Sequence, residues 1–140
     1  MKKPVFGRVI SVSRHRNADK LYIAVVDVAR EQFVQIIFGG NTILCPGDIV
    51  AVALPGTWLP GGEKIRARNY RGMRSFAEIL SKDELFGTTG GPDEILLLNE
   101  YSNRIGENVE IREFTSFMRP EAASKADRIM PQHYHKVHRS

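Results

Sequence analysis

A small all-β barrel or sandwich is the fold this sequence predicts, and three observations carry that expectation. Short runs of β-branched and other apolar residues recur through roughly the first 112 positions. Pro-Gly and Gly-Gly pairs punctuate those runs. Only one short stretch carries both a helix-start and a helix-stop signal.

The elements follow in chain order. Pro4 to Ser13 alternates, with Phe6, Ile10 and Val12 on one parity and Val5 and Val9 on the other. Arg8 shares the first parity, so the pattern is imperfect. Leu21 to Val28, Phe33 to Phe38 and Ile49 to Leu54 are dense apolar runs that read as strands. Ile95 to Leu98 and Val109 to Ile111 are shorter candidates. Gly39-Gly40-Asn41 and Cys45-Pro46-Gly47-Asp48 bracket a loop. Pro55-Gly56 and Pro60-Gly61 each suit the centre of a type II turn, where proline fixes the first φ and glycine accepts the positive one. Ser81-Lys82-Asp83-Glu84 has the spacing of a capping box, and Gly87 stands where a helix ends in a left-handed residue. Gly87 to Pro92 is a surface loop by composition.

The 140 residues accommodate one domain, or one domain with a tail. An apolar fraction of 42% can build a packed core. No apolar run approaches the ~20 residues that span a bilayer. Met1-Lys2-Lys3 resembles the start of a signal peptide, but Arg8 interrupts the apolar stretch, so a cytoplasmic protein is expected. One cysteine, Cys45, excludes an intramolecular disulfide framework and a multi-cysteine zinc site.

The net charge of +4 hides a strong division. Residues 1–20 carry Lys2, Lys3, Arg8, Arg14, Arg16 and Lys20 against Asp19 alone. Residues 64–74 carry Lys64, Arg66, Arg68, Arg71 and Arg74 and no acid. Residues 78–113 hold nine acids and three bases. If Lys64 to Arg68 is a strand, its three cations share one face about 6.6 Å apart, close to the spacing of phosphates along a nucleic-acid strand, while Ile65 and Ala67 face the core. The alternative is a solvated face paired with acids on a neighbouring strand.

Composition changes near Phe117. Residues 119–140 carry five bases and two acids and hold His133, His135 and His138 without clear periodicity. They read as a basic extension beyond a domain at 1–118. The His-x-His cluster suits either a metal or simple solvation and added charge, and no acid or cysteine stands near it.

Three segments, taken in order, are specific as a combination. They are His15-Arg16-Asn17-Ala18-Asp19-Lys20-Leu21, then Leu54-Pro55-Gly56-Thr57-Trp58-Leu59-Pro60-Gly61, then Tyr70-Arg71-Gly72-Met73-Arg74-Ser75. With Gln35-Ile36-Ile37 and Gly39 between them, they resemble the tRNA-binding domain family. That family includes the N-terminal module of the phenylalanyl-tRNA synthetase β subunit, the C-terminal module of many methionyl-tRNA synthetases and free-standing tRNA-binding proteins. The resemblance covers about residues 5–112. It implies an OB-fold, a five-stranded barrel with a short helix, and tRNA as partner. It also implies an aminoacyl-tRNA synthetase as a further partner and, for a free-standing member, a homodimer. The departures are Arg16 where the family loop has proline, Val25 where a lysine or arginine is common, and Ala77-Glu78 in place of Gly-Met.

Under this reading Lys64, Arg66, Arg68 and Arg71 track phosphates. Asn17 and Lys20 flank them, and Gln35 and Ser75 offer hydrogen bonds. Asn17 and Asp19 can equally build their loop by local hydrogen bonds. Arg71 can hold its turn, Met73 can fill core, and Trp58 can cap the barrel end or stack on a base. No phosphate-cradling loop, nucleophile elbow or zinc-protease motif occurs, and Cys45 has no sequence-adjacent base, so no enzyme, cofactor or metal is expected. Two rival expectations stand beside the tRNA-binding module: a protein-interaction or chaperone-like barrel, favoured by Val25 and Glu78, and a fragment of a phenylalanyl-tRNA synthetase β subunit.

Overall fold

The computed structural model describes residues 2–114. The expected tail at 119–140 and its histidines lie outside the described residues. The chain separates into a unit Met1–Val109 and a second unit from Glu110, whose described part is a 3-10 turn at Ile111–Phe114.

Within the first unit the strands are β1 (Val5–Arg14), β2 (Tyr22–Asp27), β3 (Phe33–Phe38), β4 (Ile49–Ala53), β5 (Arg68–Tyr70), β6 (Met73–Ser75) and β7 (Glu78–Ile79). Five of them form one curled antiparallel sheet in the order β3-β2-β1-β4-β7, and β5 and β6 form a separate hairpin. This is the OB-like barrel expected. Its two sheet edges approach one another where Phe76 N–H donates to the Gln35 carbonyl (2.9 Å) and Ile37 N–H donates to Ser75 Oγ (2.9 Å). Val9, Ala24, Val26, Ile36, Val50 and Val52 pack the interior, each almost fully buried. Burial of this kind contributes ~1.5–3 kcal/mol per large aliphatic side chain.

A bulge explains the imperfect alternation of β1. Val9 pairs with Val26, but Ser11 pairs with Val25, so Ile10 is the extra residue and stands 41% exposed. Before the bulge Val5, Gly7 and Val9 face the core; after it Val12 does. Phe6 faces the other way and is buried under Tyr101 (ring centroids 5.3 Å) and Arg104 of the 3-10 turn Asn99–Arg104. Arg8, on that same side, donates to the Ser102 carbonyl (2.8 Å).

Two expected strands shrink to isolated bridges. Ile95 bridges Ser81 and Leu97 bridges Val50, because β7 already occupies Val52 and Ala53 on that edge of β4. Near Val109, the one bridge is Val5 to Asn108.

The helix is α1 (Lys82–Phe86), and its ends are those the sequence indicates. Ser81 Oγ accepts from Glu84 N–H, the Glu84 carboxylate accepts from Ser81 N–H, and Gly87 is left-handed at φ 71°. Pro55-Gly56 forms the expected turn, with Gly56 at φ 94° and Thr57 N–H bonded to the Leu54 carbonyl. Pro60-Gly61 differs. Gly62 carries the positive φ (94°), Gly62 N–H donates to the Leu59 carbonyl, and Leu59 N–H donates to that of Glu63. The turn is therefore the three-residue hairpin kind, with the left-handed residue one place later. The extra glycine at 62 permits it.

Candidate nucleic-acid interface

The β5–β6 hairpin turns at Arg71-Gly72, with φ of 52° and 86°. Two consecutive positive φ values make a type I′ turn, which matches the right-handed twist of a two-residue hairpin. Asparagine usually takes the first of these positions. Arginine there costs ~1–2 kcal/mol of backbone strain and projects an exposed guanidinium from the hairpin tip.

The loop between β1 and β2 is fastened to that tip through a histidine that sequence reasoning did not single out. His15 is 4% exposed. Its Nδ1 accepts from Asn17 N–H (3.0 Å), and its Nε2 lies 2.8 Å from the Tyr70 carbonyl. An N–H must donate at the first nitrogen and a carbonyl must accept at the second. The ring is therefore the neutral Nε2–H tautomer. Asn17 adds a second tie, donating from Nδ2 to the Arg71 carbonyl (3.3 Å). The two most basic stretches of the sequence thus meet.

The strip from Lys64 is not a regular strand. Lys64 makes one bridge, to Trp58, and regular pairing starts at Arg68. Burial still alternates: Lys64, Arg66 and Arg68 are exposed, Ile65 is 2% exposed and Ala67 is half-buried. Lys64 Nζ sits 5.7 Å from the centre of the Trp58 ring. Arg68 pairs with Glu63 (3.2 Å), so the solvated-face alternative holds for that one cation. Arg74 donates to Asn69 Oδ1 (3.3 Å). Lys2 Nζ donates to the Pro55 carbonyl (2.7 Å). Among the described residues Arg14, Arg16, Lys20, Arg66 and Arg71 are exposed and enter no ion pair.

The polar candidates act as fasteners. Gln35 Nε2 donates to the Arg74 carbonyl (2.9 Å), holding β3 to β6. Ser75 is 3% exposed; its hydroxyl accepts from Ile37 N–H and donates to the Ala77 carbonyl (2.8 Å). That hydroxyl is fully committed inside the barrel. Asn17, Gln35 and Ser75 therefore position the hairpin that carries the cations.

Behind the hairpin lies a cavity of about 300 Å³, with Leu21, Ile37, Tyr70, Glu78 and Glu84 on its walls. Glu78 Oε2 is buried without a hydrogen-bond partner. Burial raises the Glu78 pKa above the usual carboxylate range, and Glu63 and Glu84 add repulsion that Arg68 only partly offsets. Among the described residues no three His, Cys, Asp or Glu side chains group closely enough to hold a metal ion. No helix there is long and apolar enough to cross a membrane.

Residues 5–105 match a family model described as "Putative tRNA binding domain". The chain belongs to this tRNA-binding domain family. Among curated proteins it is similar to phenylalanine–tRNA ligase β subunits. The one from Syntrophotalea carbinolica is 40% identical over 95 residues, covering 68% of this chain and 11% of that protein. That of Staphylococcus epidermidis is 45% identical over 85 residues, 61% of this chain and 10% of the relative. The Clostridium tetani protein is 33% identical over 106 residues, 76% and 13% respectively. The chain thus spans about a tenth of the length of these relatives. It is a binding domain whose relatives are subunits of an enzyme.

Proposed function

We propose that this member of the family binds tRNA through a basic rim made of the β1–β2 loop and the β5–β6 hairpin, without catalysing a reaction itself. The observation that supports this best is the clamp from His15 and Asn17 to the hairpin tip, which gathers cations from two distant stretches. Arg14, Arg16, Lys20, Arg66 and Arg71 are free to meet phosphates, with Lys64 beside Trp58 and Arg68 competing with Glu63. A rigid rim of this kind reads backbone shape more than base sequence, as structured RNA demands. A cytoplasmic setting suits a tRNA ligand and is the one we expect, and the similarity to synthetase subunits makes an aminoacyl-tRNA synthetase the natural second partner. A homodimer arranging two rims around one tRNA is the assembly we expect, and sedimentation with and without tRNA tests it.

The primary test is titration with total tRNA at several salt concentrations. Four phosphate contacts give a slope of log affinity against log salt of about −3 to −4. The triple substitution Lys64→Ala, Arg66→Ala, Arg68→Ala flattens the slope and weakens binding. An unchanged slope in a folded triple variant removes that strip from the mechanism. Glu78 Oε2, buried without a hydrogen-bond partner, and the apolar Val25 favour a second reading, a protein-interaction module. Absence of salt-sensitive tRNA binding at micromolar protein selects it.

A further inference from the structure

The cavity behind the hairpin carries the wrong charge for phosphate. Its volume, about 300 Å³, lies at the small end of the ~300–1,000 Å³ range of small-molecule sites. Four carboxylates line it: Glu78 of β7, Glu84 of α1, and Asp93 and Glu94 of the loop after α1. Among the described residues no cationic side chain pairs with any of the four. Glu84, Asp93 and Glu94 are exposed, whereas Glu78 is half-buried and lies deeper. Its Oε2 is closed off from solvent and has no hydrogen-bond donor, a costly state for a carboxylate oxygen. Glu78 is also one of the positions where this chain departs from its family pattern. Apolar side chains, Leu21, Ile37 and Ile79, form the remaining wall. The acidic loop is fixed in place: Ile95 bridges Ser81, and its N–H donates to Thr42 Oγ1 (2.7 Å).

We propose that this cavity binds a slim organic cation, an ammonium or guanidinium group on an aliphatic stem, with Glu78 receiving the charged head. The inference is independent of the tRNA reading. The placement of the carboxylates decides the chemistry. A hard metal ion needs several oxygens converging on one point at ~2.0–2.6 Å. Among the described residues no three acidic, histidine or cysteine side chains group that closely. Carboxylates spread around an apolar wall suit an extended cation instead. Its N–H groups reach separate oxygens, while its stem covers Leu21 and Ile37. A cation beside Glu78 also offsets the penalty that burial and the neighbouring acids place on that carboxylate's charge.

The test titrates the isotope-labelled full chain, without tRNA, and follows its amide chemical shifts. The probes are n-butylguanidinium, n-butylammonium, the neutral n-butylurea, and an acetylated Gly-Arg-Gly amide. Both butyl cations should saturate and move the amide signals of Ile37, Gly40, Glu78 and Ile95, and butylurea should not. Glu78→Gln and Glu78→Met each remove the charge at nearly constant length. Each should weaken cation binding by about tenfold or more, without lowering the melting temperature. Glu100→Gln makes the same charge change on the 3-10 turn Asn99–Arg104 and should bind like wild type. Tighter binding of the peptide than of the free cations identifies a partner's arginine side chain as the occupant, and weaker binding identifies a free amine or guanidine. Absence of saturation by either cation overturns the inference. Equal binding of butylurea overturns it too, as do equal losses in the Glu78→Gln and Glu100→Gln variants. Displacement of the butyl cations by stoichiometric Mg²⁺ or Ca²⁺ would show a metal site instead. A protein that binds tRNA but neither cation loses this inference alone and keeps its basic rim.

Discussion

Replacing His15 with phenylalanine removes two hydrogen bonds while keeping a ring of similar size in a site that is 4% exposed. The Tyr70 carbonyl and the Asn17 N–H both lose their partner. An unsatisfied buried polar group costs ~1–3 kcal/mol, and a group that water can reach costs less. Asn17 is exposed and Tyr70 half-buried, so the sum is about 2–4 kcal/mol. That is a large share of the 5–15 kcal/mol typical of a whole domain. With an m-value of ~1–3 kcal/mol/M, the urea midpoint should fall by about 1–2 M. Asn17→Ala is the control: it loses only the exposed 3.3 Å tie to Arg71 and should cost under ~1 kcal/mol. Under native conditions the folded His15→Phe protein should bind tRNA more weakly at every salt concentration, because its loop cations are no longer held against the hairpin. A midpoint shift below ~0.3 M, with tRNA affinity intact, would sink the idea that His15 builds the rim.

Other substitutions probe separate links. Arg71→Asn relieves the left-handed strain at φ 52° and should stabilise the fold by about 0.5–1 kcal/mol in urea titrations. The same change should make the salt slope shallower by ~0.7–0.9, one phosphate contact. Gly7→Ala places a methyl 2.6 Å from Val26 Cγ1 and 2.8 Å from Val52 Cγ2, inside the core. Overpacking of that kind should destabilise by about 1–3 kcal/mol in a denaturation curve, with the tRNA salt slope unchanged. Glu78 binds its proton more tightly folded than unfolded, since its folded pKa lies above the ordinary 4.5. Stability from this group is therefore present at low pH and declines as pH rises from 4.5 through the raised value, then levels. Glu78→Gln should abolish that decline and leave the protein more stable near neutrality, read as melting temperature against pH.

What the sequence made legible was local chemistry. The strand Phe33–Phe38, the Ser81–Glu84 capping box and the Pro55-Gly56 turn each depend on residues within a few positions, and each stands where the pattern places it. Cross-strand properties were hidden. The bulge at Ile10 is a matter of register between β1 and β2, and alternation in β1 alone registers only as a flaw at Arg8. His15 was missed because both its partners are backbone groups, one of them 55 residues away. The cations at 64–74 read as unopposed within their own run, although Glu63, one position before it, pairs with Arg68. Asn17, Gln35 and Ser75 are legible as polar residues of the segments that carry the resemblance. Their fastening role needed the geometry, since a side chain bound to a distant carbonyl leaves no periodic trace.

The charge layout argues that geometry outweighs charge count in this domain. Residues 1–118 carry a net charge of only +1, so the field seen from a distance is weak. Screening at physiological salt confines what remains to ~8 Å. Glu63, Glu78 and Glu84 stand near the base of the hairpin and oppose its cations at short range. An anion gains from Arg14, Arg16, Lys20, Arg66 and Arg71 only when its phosphates come within contact of them. A polyanion whose phosphates do not fit the rim meets the acids as well as the bases and gains little. This is why a clamp of two hydrogen bonds at a neutral histidine should matter to RNA affinity as much as any single positive charge does.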